Sequence, residues 1–216
     1  MKTPFEHFKS DISVVQIEEN LYEGNVSDMW SIGTTPNGGY TMALAAKAIS
    51  ESLEHKDPLI VTANYLNRVN FGKIDIKVET LPSTRSLSSA RATMIQDNEI
   101  KVIFTATFTD LSKSTGLNKA FKKEPVFEKY EDCHLHAFKE GFNPGLEKFI
   151  EKKYCSDSIW WKADDKIENK KAVLNLYMSW PNKEKADLYS LILFLDATTP
   201  VSYTHLSCRR DETWGG

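Results

Sequence analysis

Thr35-Pro-Asn-Gly-Gly-Tyr40 runs without a break into the apolar Met42-Ala-Leu-Ala-Ala46, and this junction constrains the fold more than any other stretch. A helix that is small and apolar nearly all round cannot face water; it has to be wrapped by other structure. Asn37 is the expected N-cap, with the helix over residues 38–53. Its start is also chemically distinctive, because unpaired N–H groups and the positive end of the helix dipole gather there. Gly38 and Gly39 carry no Cβ to keep a ligand from the backbone. Gly38, Gly39 and Tyr40 are therefore candidate binding residues for a carbonyl or an anion. The alternative is that the glycine pair only lets the helix pass close under a sheet.

The flanking segments supply that sheet. Residues 13–17 and 21–26 read as a short strand pair, and residues 60–69 as a strand after the helix. Lys73-Ile-Asp-Ile-Lys-Val-Glu79 alternates strictly, with Ile74, Ile76 and Val78 on one face and charges on the other. Residues 88–96 and 100–109 are joined at Asp97-Asn98, a pair that tolerates the positive φ of a tight hairpin. A curled antiparallel sheet around one helix is expected over residues 10–112.

From residue 113 to 144 the periodicity lapses, as expected of a linker. The order then begins again over residues 145–200, with strand candidates at 146–154 and 172–180. Asp187 is expected to cap a helix whose Leu188, Tyr189, Leu191, Ile192, Leu193, Phe194 and Leu195 are apolar nearly all round, and which should be buried on every side. The first helix is followed by strands as far as residue 109, whereas only residues 200–216 follow the second. Residues 201–216 lack sustained alternation, and 201–206 resembles translated linker sequence at the ends of fragmentary gene models. The expectation is a C-terminally truncated chain with a non-native tail, against the alternative of a native strand at 201–206.

With 41% hydrophobic and 26% charged residues and a net charge of -3, the chain has the make-up of a globular protein and no basic stripe for nucleic acid. The longest strongly apolar run, 188–195, is far short of the roughly 20 residues of a membrane span, and the N-terminus has no apolar signal region. No nucleic-acid or membrane partner is expected, and the location expected is cytoplasmic. Cys133, Cys155 and Cys208 are odd in number and lack metal-ligand spacing, as free thiols would. His134-Leu-His136 lies beside Cys133 without a further ligand set, so a solvated linker is expected and no metal site. His55 is equally unsupported as a ligand. No Gly-X-Ser-X-Gly elbow, P-loop or dinucleotide fingerprint occurs.

Several motifs occur in one order along the chain: Trp30-Ser-Ile-Gly33, Asn37-Gly-Gly-Tyr40, the Ala-rich helix, Arg68-Val69, Arg85-Ser86, Arg91-Ala-Thr-Met-Ile-Gln96, Trp160-Trp161, and Leu188 through Asp196 to Pro200. Together they resemble the acyl-CoA thioesterase II-type, double hot-dog family over about residues 10–200. The resemblance implies an α+β double hot-dog fold, two units packed as a pseudo-dimer with the second incomplete. It implies hydrolysis of an acyl-CoA thioester, a reaction of lipid metabolism, without metal or organic cofactor, in a possible homo-oligomer. The family's second-helix carboxylate carries over to Asp196, which would orient or deprotonate the attacking water, while N–H groups near Gly39 and Tyr40 would polarise the thioester carbonyl. The family's hydroxyl and glutamine partners should lie beyond Pro200; Thr204 is not convincingly the hydroxyl, and Gln96 belongs to the first unit.

Asp196 also stands out physically. A carboxylate beside an apolar helical run and close to a helix C-terminus is electrostatically expensive unless it has a role, or unless the helix ends at Leu195 and Asp196 turns into solvent. Trp160, Trp161 and Trp180 could line an acyl tunnel or fill a core. Hydration of an enoyl-CoA would require an Asp and a His together in one unit, and no such pair stands out. A non-catalytic acyl-CoA-binding or scaffolding module remains the alternative from a different class.

Overall fold

The computed structural model describes residues 2–117, 119–159 and 173–198. The chain opens with a helix the sequence reading did not include, α1 (Pro4–Asp11). Thr3 caps it, accepting from Glu6 N–H, while the Glu6 carboxylate accepts from Thr3 N–H, and Pro4 sits where a missing N–H costs nothing. Then come β1 (Val15–Glu18), β2 (Leu21–Val26), the two-residue strands β3 (Ser31–Ile32) and β4 (Thr35–Pro36), and α2 (Gly38–Ser52). β5 (Asp57–Tyr65), β6 (Gly72–Thr80), β7 (Ser88–Gln96) and β8 (Glu99–Thr109) complete a six-stranded antiparallel sheet of order β1-β2-β6-β7-β8-β5. The β7–β8 hairpin turns at Asp97 and Asn98, with φ of 53° and 61° as a two-residue turn requires.

The inward residues of this sheet, among them Ile74, Ile76, Val78, Met94 and Phe104, close over α2, whose Ala43, Ala45, Ala46 and Ala48 are all buried. Small side chains on every face let the helix lie close to the strands that curl around it. Gln96 is spent on backbone: its amide accepts from Asn70 N–H and donates to the carbonyls of Asn70 and Lys73, tying the β5–β6 connection to the end of β7.

The second part is smaller. β9 (His134–Leu135), β10 (Glu151–Tyr154) and β11 (Leu176–Ser179) form an antiparallel sheet of order β11-β10-β9, followed by α3 (Leu188–Asp196). The strand expected over 146–154 is only its last four residues; Gly145–Lys148 is a 3-10 turn with Leu146 buried. Within 172–180 the strand is Leu176–Ser179. The expected linker 113–144 contains β9, so His134 and His136 are half-buried rather than solvated. His136 Nε2 lies 2.8 Å from Asn143 Nδ2 and 3.4 Å from Glu147.

Asp187 caps α3 as the sequence predicts, and Ser190 completes a reciprocal capping pair. The expected burial on every side does not hold: Ser190, Leu193 and Phe194 are buried, whereas Leu191 is 48% and Leu195 76% exposed. One side of α3 packs on α2, and no sheet among the described residues covers the other. Trp160, Trp161 and the suspected tail lie outside the described residues.

An aromatic cluster joins the two parts. Phe8 of α1 lies 5.5 Å from the rings of both Trp30 and Trp180, and Trp30 lies 5.8 Å from Phe149. Trp180 in turn meets Phe194 of α3 at 5.0 Å and donates through Nε1 to Ser190 Oγ. Trp180 is completely buried. It is core.

Candidate active site

The start of α2 and the end of α3 meet. Asn37 adopts extended backbone angles (φ -62°, ψ 140°), and its Oδ1 accepts from Tyr40 N–H at 2.9 Å. Its Nδ2 donates to Asp196 Oδ2 at 2.7 Å, and Gly39 N–H donates to the same oxygen at 2.9 Å. A buried amide with its oxygen toward an N–H and its nitrogen toward a carboxylate is satisfied in this orientation alone. Two residues 157 apart in the chain, Gly39 and Asp196, are therefore one constellation.

The geometry resolves the electrostatic puzzle of Asp196. Its carboxylate stands at the negative end of α3 but also at the positive end of α2, so the second dipole offsets the first. The side chain is exposed, and its Oδ1 has no protein donor among the described residues. One oxygen is fixed and the other is open to a water or a ligand.

The same contact changes the reading of the glycines. A Cβ on Gly39 would come within 2.7 Å of both Asp196 Cβ and the Ile192 carbonyl oxygen, and one on Gly38 within 2.9 Å of Tyr65 Oη. What approaches Gly39 so closely is α3. Its N–H serves Asp196 and the Tyr40 N–H serves Asn37, so neither is open to polarise a carbonyl in this arrangement, contrary to the expectation from sequence. The Tyr40 side chain also points away from the site into the core, where its hydroxyl accepts from Ser27 N–H and reaches the carbonyls of Asp11 and Asn25. Gly38 does face the site.

A cleft of about 480 Å³ opens here, lined by Pro36, Gly38, Thr41, Tyr65, Arg68 and Asp196 among others. Tyr65, from the end of β5, donates its hydroxyl to the Gly38 carbonyl at 2.7 Å. Partial burial, opposed by the Thr41 hydroxyl and reinforced by the charge of Asp196, pushes its phenol up to about 12, so it stays a donor at neutral pH. Arg68 donates to the carbonyl and hydroxyl of Thr34 at the mouth. Sequence reasoning missed Tyr65. It lies in a strand whose alternation gives no hint that its last residue reaches a helix start 27 positions earlier. Among the described residues no histidine lines the cleft, and His55 is buried with Nδ1 2.6 Å from Ser88 Oγ.

Residues 26–109 match the family model of the acyl-CoA thioesterase N-terminal domain. Among solved structures, a protein from Thermobifida fusca named as a candidate thioesterase II superposes with a TM-score of 0.81 at 20% identity, covering 100% of this chain and 79% of the other. A hot-dog-fold protein of unknown function from Alicyclobacillus acidocaldarius gives 0.77 at 20% identity, covering 93% and 72%. A sheet curled round a central helix, resembling these structures over most of their lengths, is the hot-dog fold. The thioesterase-like protein TwmA of Talaromyces wortmannii is 29% identical over 92 residues, which is 41% of this chain and 26% of TwmA, so the match spans about a quarter of that relative. The family match thus covers the first part of this chain, residues 26–109, which is similar to the N-terminal domain of acyl-CoA thioesterases.

Proposed function

We propose that the chain carries the acid-bearing half of an acyl-CoA thioesterase site, in which Asp196 activates water for attack on a thioester bound in the cleft. The observation that supports this reading best is the carboxylate with Oδ2 held by Asn37 and Gly39 and with Oδ1 unengaged by any donor among the described residues. Two donors fix the side chain, and the unengaged oxygen can accept a proton from water as the water attacks the carbonyl carbon. The tetrahedral intermediate then collapses, expelling the thiolate of CoA and leaving the free acid. General-base assistance of this kind contributes roughly 10²–10⁴ in rate. Gly38 and Thr41 would bound the thioester, the Tyr65 hydroxyl could turn from the Gly38 carbonyl to the developing oxyanion, and Arg68 supplies a cation for an anionic substrate group. No metal or organic cofactor enters this scheme.

A second reading, a non-catalytic acyl-CoA-binding or scaffolding module, draws on the same contacts, because they also describe a clip that pins α3 to α2. Incubation with acyl-CoAs of increasing chain length, with thiol release followed by a chromogenic disulfide and binding by calorimetry, separates the two. Release of CoA above the blank supports the enzyme. Saturable binding with no release supports the module.

A further inference from the structure

Cys133 and Cys155 are both buried, 7% and 3% exposed, with their sulfurs 3.6 Å apart. They face each other by register: Lys153 pairs with Leu135 and Tyr154 with His134 across the β9–β10 ladder, and the next step sets Cys155 opposite Cys133. Both lie outside the thioester site. The segment that leads into Cys133 is clamped around them. Glu128 accepts from Ser156 N–H and Oγ–H, Tyr177 donates to the Glu128 carbonyl at 2.9 Å, and Lys153 donates to the Tyr130 carbonyl at 3.0 Å while lying 4.0 Å above the Tyr130 ring. The Tyr130 hydroxyl bonds Glu151.

The Glu128 carboxylate lies within 4.8 Å of the two sulfurs. Both its oxygens are engaged by Ser156, and two thiols with one carboxylate leave a tetrahedral soft-metal site one ligand short among the described residues. Closing the bond would bring the sulfurs from 3.6 Å to about 2.05 Å.

We propose that Cys133 and Cys155 are a reversible thiol–disulfide pair, oxidised by low-molecular-weight disulfides, that fastens residues 128–135 to β10. One cysteine thiolate attacks the external disulfide and releases one small thiolate, leaving a mixed disulfide. The second thiolate attacks the protein sulfur and expels the other small thiolate. Two protein thiols become one cystine, one external disulfide becomes two thiols, and the two protons pass to the departing thiolates. Burial and the neighbouring Cys155 push the Cys133 thiol up to about 11, so exchange is slow and needs brief opening of the 128–133 clamp.

The test is made on the full chain carrying Cys208→Ser, so that only this pair can close. The folded protein is equilibrated overnight with excess oxidised glutathione and a chelator, quenched with iodoacetamide, and mapped unreduced by mass spectrometry. The proposal expects a single Cys133–Cys155 cross-link, reversed by dithiothreitol, and a melting temperature several degrees higher in the cross-linked form. Adding Cys155→Ser should leave Cys133 alkylated or carrying glutathione, with no cross-link, and remove that shift. Three outcomes would overturn it: both cysteines remain alkylated, glutathione adducts persist without a cross-link, or the cross-link forms only after unfolding in urea. None depends on catalytic activity.

Discussion

At the scale of single residues, Gly39 has little room around it. A methyl group there meets the Ile192 carbonyl oxygen and Asp196 Cβ at 2.7 Å, and neither is the yielding end of a flexible side chain. Gly39→Ala should therefore destabilise the fold by about 1–3 kcal/mol, the range for overpacking, read as a lower urea midpoint; an unchanged midpoint would mean that α3 does not sit where described. Asn37 bonds both Tyr40 N–H and Asp196, so Asn37→Ala removes a helix cap and one of the two bonds on the carboxylate. A loss of about 0.5–2 kcal/mol is expected from the cap alone, together with reduced turnover because Asp196 is less firmly held. Sequence identified Asn37 as a cap and Asp196 as a costly carboxylate. That each satisfies the other was not legible, since the contact joins residues 159 apart and no local pattern encodes it.

At the scale of elements, what was legible followed from period. Ile74, Ile76 and Val78 announced β6, Asp97-Asn98 announced the hairpin, and the alanines of α2 announced a wrapped helix. Elements with few residues or no alternation were not legible: α1, though Thr3, Pro4 and Glu6 carry its capping signal, and the two-residue β9, which exists only through pairing with β10. Hydrophobicity also over-predicted the burial of α3 among the described residues, because composition says that a helix prefers cover without saying which element supplies it. β5 allows a test by pH. Tyr65 at its end and Tyr40 in the core both have phenols raised above the ordinary 10. The unfolded chain ionises first, so the stability these residues supply is complete below pH 10 and is lost as pH climbs towards about 12. Melting temperature should fall steeply across that window, and Tyr65→Phe should flatten part of the fall; an identical slope in the variant would remove Tyr65 from the effect.

At the scale of the whole molecule, the two parts are held together by aromatic packing through α1 and by the α2–α3 contact. Phe8 is fully buried between Trp30 and Trp180, so Phe8→Ala should cost about 3–5 kcal/mol and disturb the second part as well as the first. Two-probe unfolding, tryptophan fluorescence against far-ultraviolet dichroism, would show whether the parts come apart separately. The repeated order of strands and helix raised the expectation of a second unit, but the placing of one carboxylate from the second part at the helix start of the first appears only when the parts are joined. The central claim is that this carboxylate activates water, and the most direct measurement is steady-state acyl-CoA hydrolysis by the wild type and Asp196→Asn, on preparations whose melting temperatures have been compared. Asparagine keeps the shape and can still accept from Gly39 but cannot take a proton from water. The account predicts that kcat falls by roughly 10² or more while melting shifts by only a few degrees; turnover equal to the wild type's in a fully folded Asp196→Asn protein would contradict it.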